Sequence, residues 1–158
     1  LDTIIIGAGF AGIGAAIQLK KQGVKNFLVL EQKSEVGGTW RDNTYPGCAC
    51  DIPSFLYSYS FELNPEWSAA FSPHNEILDY LKFCVKKYGI EEYILYNTAV
   101  EEVRFDAAKG SWKVTTRCRP ETARGRVGRP PLRCAGRASG LRSRTNTDAG
   151  SAGRRTGA

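Results

Sequence analysis

The 158 residues contain no methionine, one histidine and no lysine after position 113. An intact translated chain begins with Met, so Leu1 is expected to be a processed end or a fragment boundary. No stretch reaches the about 18–20 apolar residues that span a bilayer, and Leu1 to Ile6 lacks the basic flank and length of a signal peptide. A soluble, cytoplasmic protein without a membrane partner is the expectation. Cys48, Cys50, Cys84, Cys118 and Cys134 are odd in number, and Cys48-Ala49-Cys50 leaves one residue between thiols where a metal knuckle uses two to four. Reduced, unpaired thiols and no metal are therefore expected. His74 is the one imidazole available as a general base, but Pro73 before it and a helix opening there make it a solvent-facing turn residue. No internal repeat occurs.

The net charge of +6 is not spread evenly. Residues 1–116 hold 11 Lys+Arg against 14 Asp+Glu, giving 11 − 14 = −3, whereas residues 117–158 hold 11 Arg against Glu121 and Asp148, giving 11 − 2 = +9. That second segment has no Phe, Tyr or Trp, and only Val127, Leu132 and Leu141 are sizeable aliphatics. It cannot bury enough apolar surface to offset the entropy of ordering, so disorder is expected. Arg/Gly-rich segments bind nucleic acid through phosphate charge, but here no aromatics interleave to stack on bases, which disfavours that partner. Arginine without lysine, among Gly, Ala and Pro, is the composition of GC-rich DNA read out of frame. The expected organisation is a truncated α/β domain over residues 1–116 and an Arg/Gly/Ala-rich tail over 117–158, out of frame by its composition.

What is present is concentrated in the first thirty residues. Thr3-Ile4-Ile5-Ile6 is a β-branched run bounded by glycine, as in a central strand buried on both faces. Gly7-Ala8-Gly9-Phe10-Ala11-Gly12 follows, and Ile13 to Gln22 carries helical spacing until Gly23. Phe27-Leu28-Val29-Leu30 reads as a second buried strand closing on Glu31. Gly7 suits the tight turn, Gly9 the approach of a pyrophosphate and Gly12 close packing of helix on strand. The helix N-terminus offers unpaired N–H groups to phosphate. Glu31 can accept from a ribose diol and would repel a 2′-phosphate. The ligand these residues indicate is an adenine dinucleotide held through its ADP half.

From Gln32 to Phe61 the chain is dense in glycine, proline and aromatics, the composition of an ordered, ligand-contacting loop. Gly37-Gly38 is a second place for phosphate to approach. Trp40 and Tyr57 could pack on a planar ring system, with core packing as the simpler role for each. Asp51 could accept from ribityl hydroxyls or nicotinamide. Further on, Ser72 reads as an N-cap with Pro73 in the first turn, and Ile77, Leu78, Leu81, Val85 and Tyr88 mark an amphipathic helix ended by Gly89. Tyr93 to Tyr96, Ala99 to Phe105 and Trp112 to Thr116 read as strands, the last two joined through Asp106 to Gly110.

The series Gly-Ala-Gly-Phe-Ala-Gly, Glu31, Gly37-Gly38-Thr39-Trp40, Asn43, Tyr45-Pro46-Gly47, Cys50-Asp51 and Tyr57-Ser58-Tyr59-Ser60-Phe61 resembles the FAD-binding start of the Baeyer–Villiger monooxygenases, relatives of the flavin-containing monooxygenases. The resemblance covers Asp2 to about Thr116. It implies an α/β, three-layer Rossmann-like domain with a parallel sheet and a β-meander, here incomplete. It also implies FAD and NADPH as cofactors, O₂ as co-substrate, and insertion of one oxygen atom into a ketone or onto a heteroatom of a small molecule. By the same resemblance Gly7, Gly9, Phe10, Gly12, Glu31, Gly38, Thr39, Trp40, Asp51, Tyr57 and Val100 meet FAD, and Ala49, Cys50 and Asp51 meet NADP. Asp51 takes a supporting role, and no complete catalytic set is expected. The family's next strand, its second glycine fingerprint and its catalytic arginine have no counterpart in the sequence. An N- or S-oxidising flavin-containing monooxygenase is the near alternative. An NAD-dependent dehydrogenase would share the first glycine motif and Glu31, yet leave Gly37-Gly38-Thr39-Trp40 unexplained.

Overall fold

The structure, a computed structural model, describes residues 1–118 and the backbone of 138–142. Strand β1 (Thr3–Ile6) runs into helix α1 (Phe10–Lys21), and β2 (Phe27–Leu30) returns parallel to β1, with Thr3 opposite Phe27 and Ile6 opposite Leu30. After the loop that contains the short helix α2 (Thr39–Asp42) come helix α3 (His74–Lys87) and strand β3 (Ile94–Leu95), parallel to β2. Strands β4 (Thr98–Asp106), β5 (Ser111–Cys118) and β6 (Ala138–Arg142) form a separate antiparallel meander. Helix α1 packs on β1 and β2, and the meander meets the parallel sheet where Thr98 of β4 bonds to the residue that follows β2. The order β1-β2-β3 puts β2 in the middle, which is why Phe27, Val29 and Leu30 are all buried.

Strand β1 departs from the expected burial on both faces. Thr3, Ile4 and Ile5 are half-buried and Ile6 is 59% exposed, because among the described residues β1 has a hydrogen-bonded neighbour on one edge only. Helix α1 begins three residues before the expected start. Gly9 is its N-cap and its carbonyl accepts from the Ile13 N–H at 3.0 Å, so Phe10, Ala11 and Gly12 form the first turn. The other end is as expected: Gly23 at φ +78° donates to Lys20, and Val24 donates to Leu19. This pair of bonds closes the helix only when a residue tolerates the left-handed region.

Gly89 at φ +61° ends α3 with the same pattern, its N–H on Lys86 and that of Ile90 on Val85. The start of α3 differs. Pro73 is the N-cap, and Ser72 is buried with its hydroxyl 2.8 Å from that of Ser54, so it holds the loop together instead of capping. His74 is therefore the first helical residue, half-buried rather than a solvent-facing turn residue, with Nδ1 3.3 Å from the Trp40 carbonyl. Ile13, Ile17, Ile77, Leu81 and Cys84, at most 1% exposed, interlock α1 with α3. Each such aliphatic contributes about 1.5–3 kcal/mol by leaving water.

The strand expected from Tyr93 to Tyr96 is reduced to Ile94–Leu95 after a 3₁₀ turn over Glu91–Tyr93. In the tail, Arg117 and Cys118 complete β5, and 138–142 pair with it as β6, two pieces of the segment expected to lack order. Backbone pairing on an edge needs no apolar side chain, which is how a segment so poor in aliphatics can add a strand. The rest of that expectation lies outside the described residues. Cys48, Cys50 and Cys84 are buried free thiols, whereas Cys118 is disulfide-bonded, a correction to the expectation of reduced thiols throughout.

Candidate functional site

The chain leaves β1 through Gly7, whose φ of +89° only glycine adopts without strain and whose N–H donates to the Leu30 carbonyl at 2.8 Å. A Cβ on Gly12 would lie 2.0 Å from the Gly7 carbonyl oxygen, so the first turn of α1 rests directly on this bend. No side chain caps the helix and no acid occupies its first turn. The N–H groups of that turn have no intrahelical acceptor and carry the positive end of the helix dipole.

Gly37 and Gly38, expected as a second phosphate approach, belong to this same place. The Gly37 N–H donates to the Ala8 carbonyl at 2.9 Å, and a Cβ on Gly38 would come within 3.0 Å of the Gly9 Cα. Positive φ values at both, +128° and +54°, turn the chain back against the first glycine loop. Two glycine segments about thirty positions apart thus form one side-chain-free cradle at the N-terminus of α1.

Glu31 closes one side of the cradle. It is 3% exposed, with Oε2 accepting from the Ala8 N–H at 2.8 Å and Oε1 from the Lys33 N–H at 2.9 Å. Arg41, from α2, brings Nη1 to 3.5 Å of Oε1 and grips Asp42 through Nε and Nη2 at 2.9 and 3.2 Å. Burial alone would lower the guanidinium pKa, but the Asp42 hydrogen bond and the nearby carboxylates raise it, so Arg41 stays charged. The start of β4 abuts the same acid: Thr98 N–H donates to the Glu31 carbonyl, and Asn97, at φ +55°, donates to that of Lys33. Val100 follows two residues later, where the β4–β5 register shifts between Val100 and Glu102.

Trp40 and Tyr57 meet each other. The indole Nε1 donates to the Tyr57 hydroxyl at 3.1 Å, and the rings stand edge to face at 5.4 Å. Phe10 bridges this pair to the core, 5.0 Å from Tyr57 and 4.4 Å from Tyr59. Burial, with smaller contributions from Cys50 and Asp51, raises the Tyr57 pKa and keeps its hydroxyl protonated. Thr39 is exposed beside them.

The Ala49-Cys50-Asp51 loop is held against the start of α3: Ala49 bridges Pro73, Cys50 N–H donates to Ser72, and His74 N–H donates to Cys48. Its residues alternate, the two thiols inward and Ala49 and Asp51 outward. Gly7, Gly9, Phe10, Gly12, Glu31 and Gly38 are thus assembled around one helix end, and Trp40 with Tyr57 beside them. The Ala49–Asp51 loop reaches them through His74, which contacts the Trp40 carbonyl, and through the field of Cys50 and Asp51 at Tyr57.

Sequence reasoning passed over three residues. Arg41 is the sole arginine before Arg104, and no local pattern marks it, because its contact with Glu31 is tertiary. Tyr59 donates from its hydroxyl to the Phe10 carbonyl, fixing the first turn of α1. Gly14 makes room for it, since a Cβ there would lie 2.9 Å from the Tyr59 ring.

Residues 5–82 match the family described as NAD(P)-binding Rossmann-like domain. A Baeyer–Villiger monooxygenase of Pseudomonas aeruginosa is 48% identical over 108 residues, 68% of this chain and 20% of that protein. Its counterpart in Streptomyces coelicolor is 45% identical over 112 residues, 71% of this chain and 22% of that protein. The chain is similar to the Baeyer–Villiger monooxygenases over about 70% of its length. Among solved structures of that family's fold, OTEMO in complex with FAD and NADP superimposes with a TM-score of 0.68 at 34% identity, over 73% of this chain and 22% of that one. The chain spans about a fifth of the length of the curated Baeyer–Villiger monooxygenases it matches.

Proposed function

We propose that the chain is the FAD-binding portion of an NADPH-dependent Baeyer–Villiger-type monooxygenase. The observation that carries this reading is the junction of the two glycine segments, Gly9 against Gly38, at an uncapped helix N-terminus flanked by a buried acid. A pyrophosphate approaching there meets backbone N–H groups and no side chain. The residues fit the ADP half of FAD: the first turn of α1 for the pyrophosphate, Glu31 for the ribose diol, and the Val100 backbone for the adenine. Trp40 and Tyr57, with Thr39 and Asp51, stand toward the flavin end. The outward-facing Ala49 and Asp51, with Cys50 between them, fit a contact to NADP.

In the parent enzyme FAD, when bound, would supply the oxygen chemistry, with NADPH as reductant and O₂ as the source of the atom inserted into a ketone or added to a heteroatom. The chain's own residues would bind and orient the dinucleotide and exclude a 2′-phosphate by the charge of Glu31. No helix of the described residues is long and apolar enough to cross a membrane.

Expression of the full chain tests the reading. Purified protein is expected to retain or take up FAD at one equivalent, with flavin absorbance and quenched flavin fluorescence. A folded chain that binds NAD but never FAD sinks the proposal.

A further inference from the structure

Arg41 has a place in this site that no recognised motif assigns. Its guanidinium is locked by groups from three segments: Asp42 on its own helix, the Glu35 main-chain carbonyl, and the Glu31 carboxylate at the end of β2. Its side chain is 11% exposed and that of Glu31 4%, so neither charge is well solvated. A buried carboxylate left without a cation is costly.

The Glu31 carboxylate has about four lone-pair directions. Ala8 N–H takes one on Oε2, while Lys33 N–H and Arg41 both address Oε1. The backbone donors hold one oxygen each and the guanidinium takes a second direction on Oε1, so the direction left for a hydroxyl is the remaining one on Oε2. The bond to the Glu35 carbonyl and the close packing of Arg41 Cβ on Gly37, where an added Cβ would come within 2.9 Å, tie the guanidinium to the Gly37-Gly38 turn.

We propose that Arg41 is a positioning residue that aims the Glu31 carboxylate at the adenosine ribose hydroxyls and couples ribose recognition to the second glycine segment. The inference rests on the FAD reading above. Lysine cannot replace this function fully, because a point charge lacks the fork that engages Asp42 and Glu31 together.

The test compares FAD with an FAD analogue whose adenosine ribose lacks the 2′-hydroxyl, titrated into the full chain by flavin fluorescence quenching. The unsubstituted protein is expected to prefer FAD by about tenfold, the worth of one hydrogen bond to a charged acceptor. In Arg41→Gln that preference is expected to fall to about twofold or less, with Arg41→Lys between the two. Thermal melts accompany each titration, and if Arg41→Gln does not fold, Arg41→Lys decides alone. A purely structural role predicts weaker binding of both ligands with the tenfold ratio intact, and that result overturns the proposal. Equal affinities in the unsubstituted chain overturn it as well, since Glu31 would not be reading the ribose. Failure of the unsubstituted chain to bind either ligand instead removes the FAD reading, and this inference with it.

Discussion

A methyl group on Gly12 would stand 2.0 Å from the Gly7 carbonyl, whereas one on Gly9 first meets the Gly38 Cα at 3.7 Å, an ordinary contact. The two glycines, three positions apart, therefore answer to different demands. Gly12→Ala is expected to destabilise the fold by about 1–3 kcal/mol, the usual cost of overpacking, because backbone must move. Gly9→Ala should melt within about 1 kcal/mol of the parent, since its φ of −85° suits alanine and only cap preference is lost. Its flavin affinity should fall by about tenfold, as the methyl group occupies the cradle. Melting curves and flavin titrations of the pair check this, and equal losses of stability would refute the division. Both glycines were legible as a fingerprint. Which one serves packing was assigned by analogy with dinucleotide folds, and the 2.0 Å approach supplies the reason in this chain. Arg41 was not legible, since nothing in its neighbours says that the chain turns back to bring it to Glu31.

At the level of elements, α1 and α3 are joined by more than their apolar faces. Glu62, in the turn after Tyr59, accepts from Lys87 Nζ and from the Tyr88 hydroxyl, both at 2.8 Å, while Lys21 of α1 lies over the Phe61 and Tyr88 rings at 4.2 and 4.7 Å. The hydrogen bonds from Lys87 and Tyr88 hold the Glu62 carboxyl below the ordinary carboxylate range. A depressed folded-state pKa stabilises the fold above the unfolded value and stops doing so as pH falls through the folded value. Glu62→Gln should therefore lower the melting temperature by a few degrees near neutral pH, with the gap to the parent closing toward about pH 3. Parallel melts at the two pH values test it; a gap independent of pH would show that packing, not charge, is at stake. The helix ends at Gly23 and Gly89 could be read in advance, because a left-handed residue after an apolar stripe is a local event. The starts could not. Ser72 looked like a cap until Ser54, eighteen positions away, claimed its hydroxyl.

For the whole molecule, charge and site are separated along the chain. The cradle, Glu31, Arg41 and the aromatic pair all lie within residues 1–118, where acids outnumber bases, while the net positive charge comes after. A chain ending at Cys118 is expected to keep flavin affinity within about threefold, a change of well under 1 kcal/mol. It should also lose the salt-dependent retention on an immobilised polyanion that the ten arginines after Cys118 confer on the full chain. Loss of flavin binding on truncation would show that β6 supports the site through β5 and β4. The sequence by itself determined the α/β class, the glycine fingerprint, the acid after β2 and the resemblance to the Baeyer–Villiger monooxygenases, because each is written in residue types at short, fixed spacings. Tertiary structure alone decided that Gly37-Gly38 folds onto Gly9, that Arg41 meets Glu31, and that β1 is half-exposed. Those outcomes depend on which distant segments come together and on which edge of a strand finds a neighbour, and no local pattern encodes either.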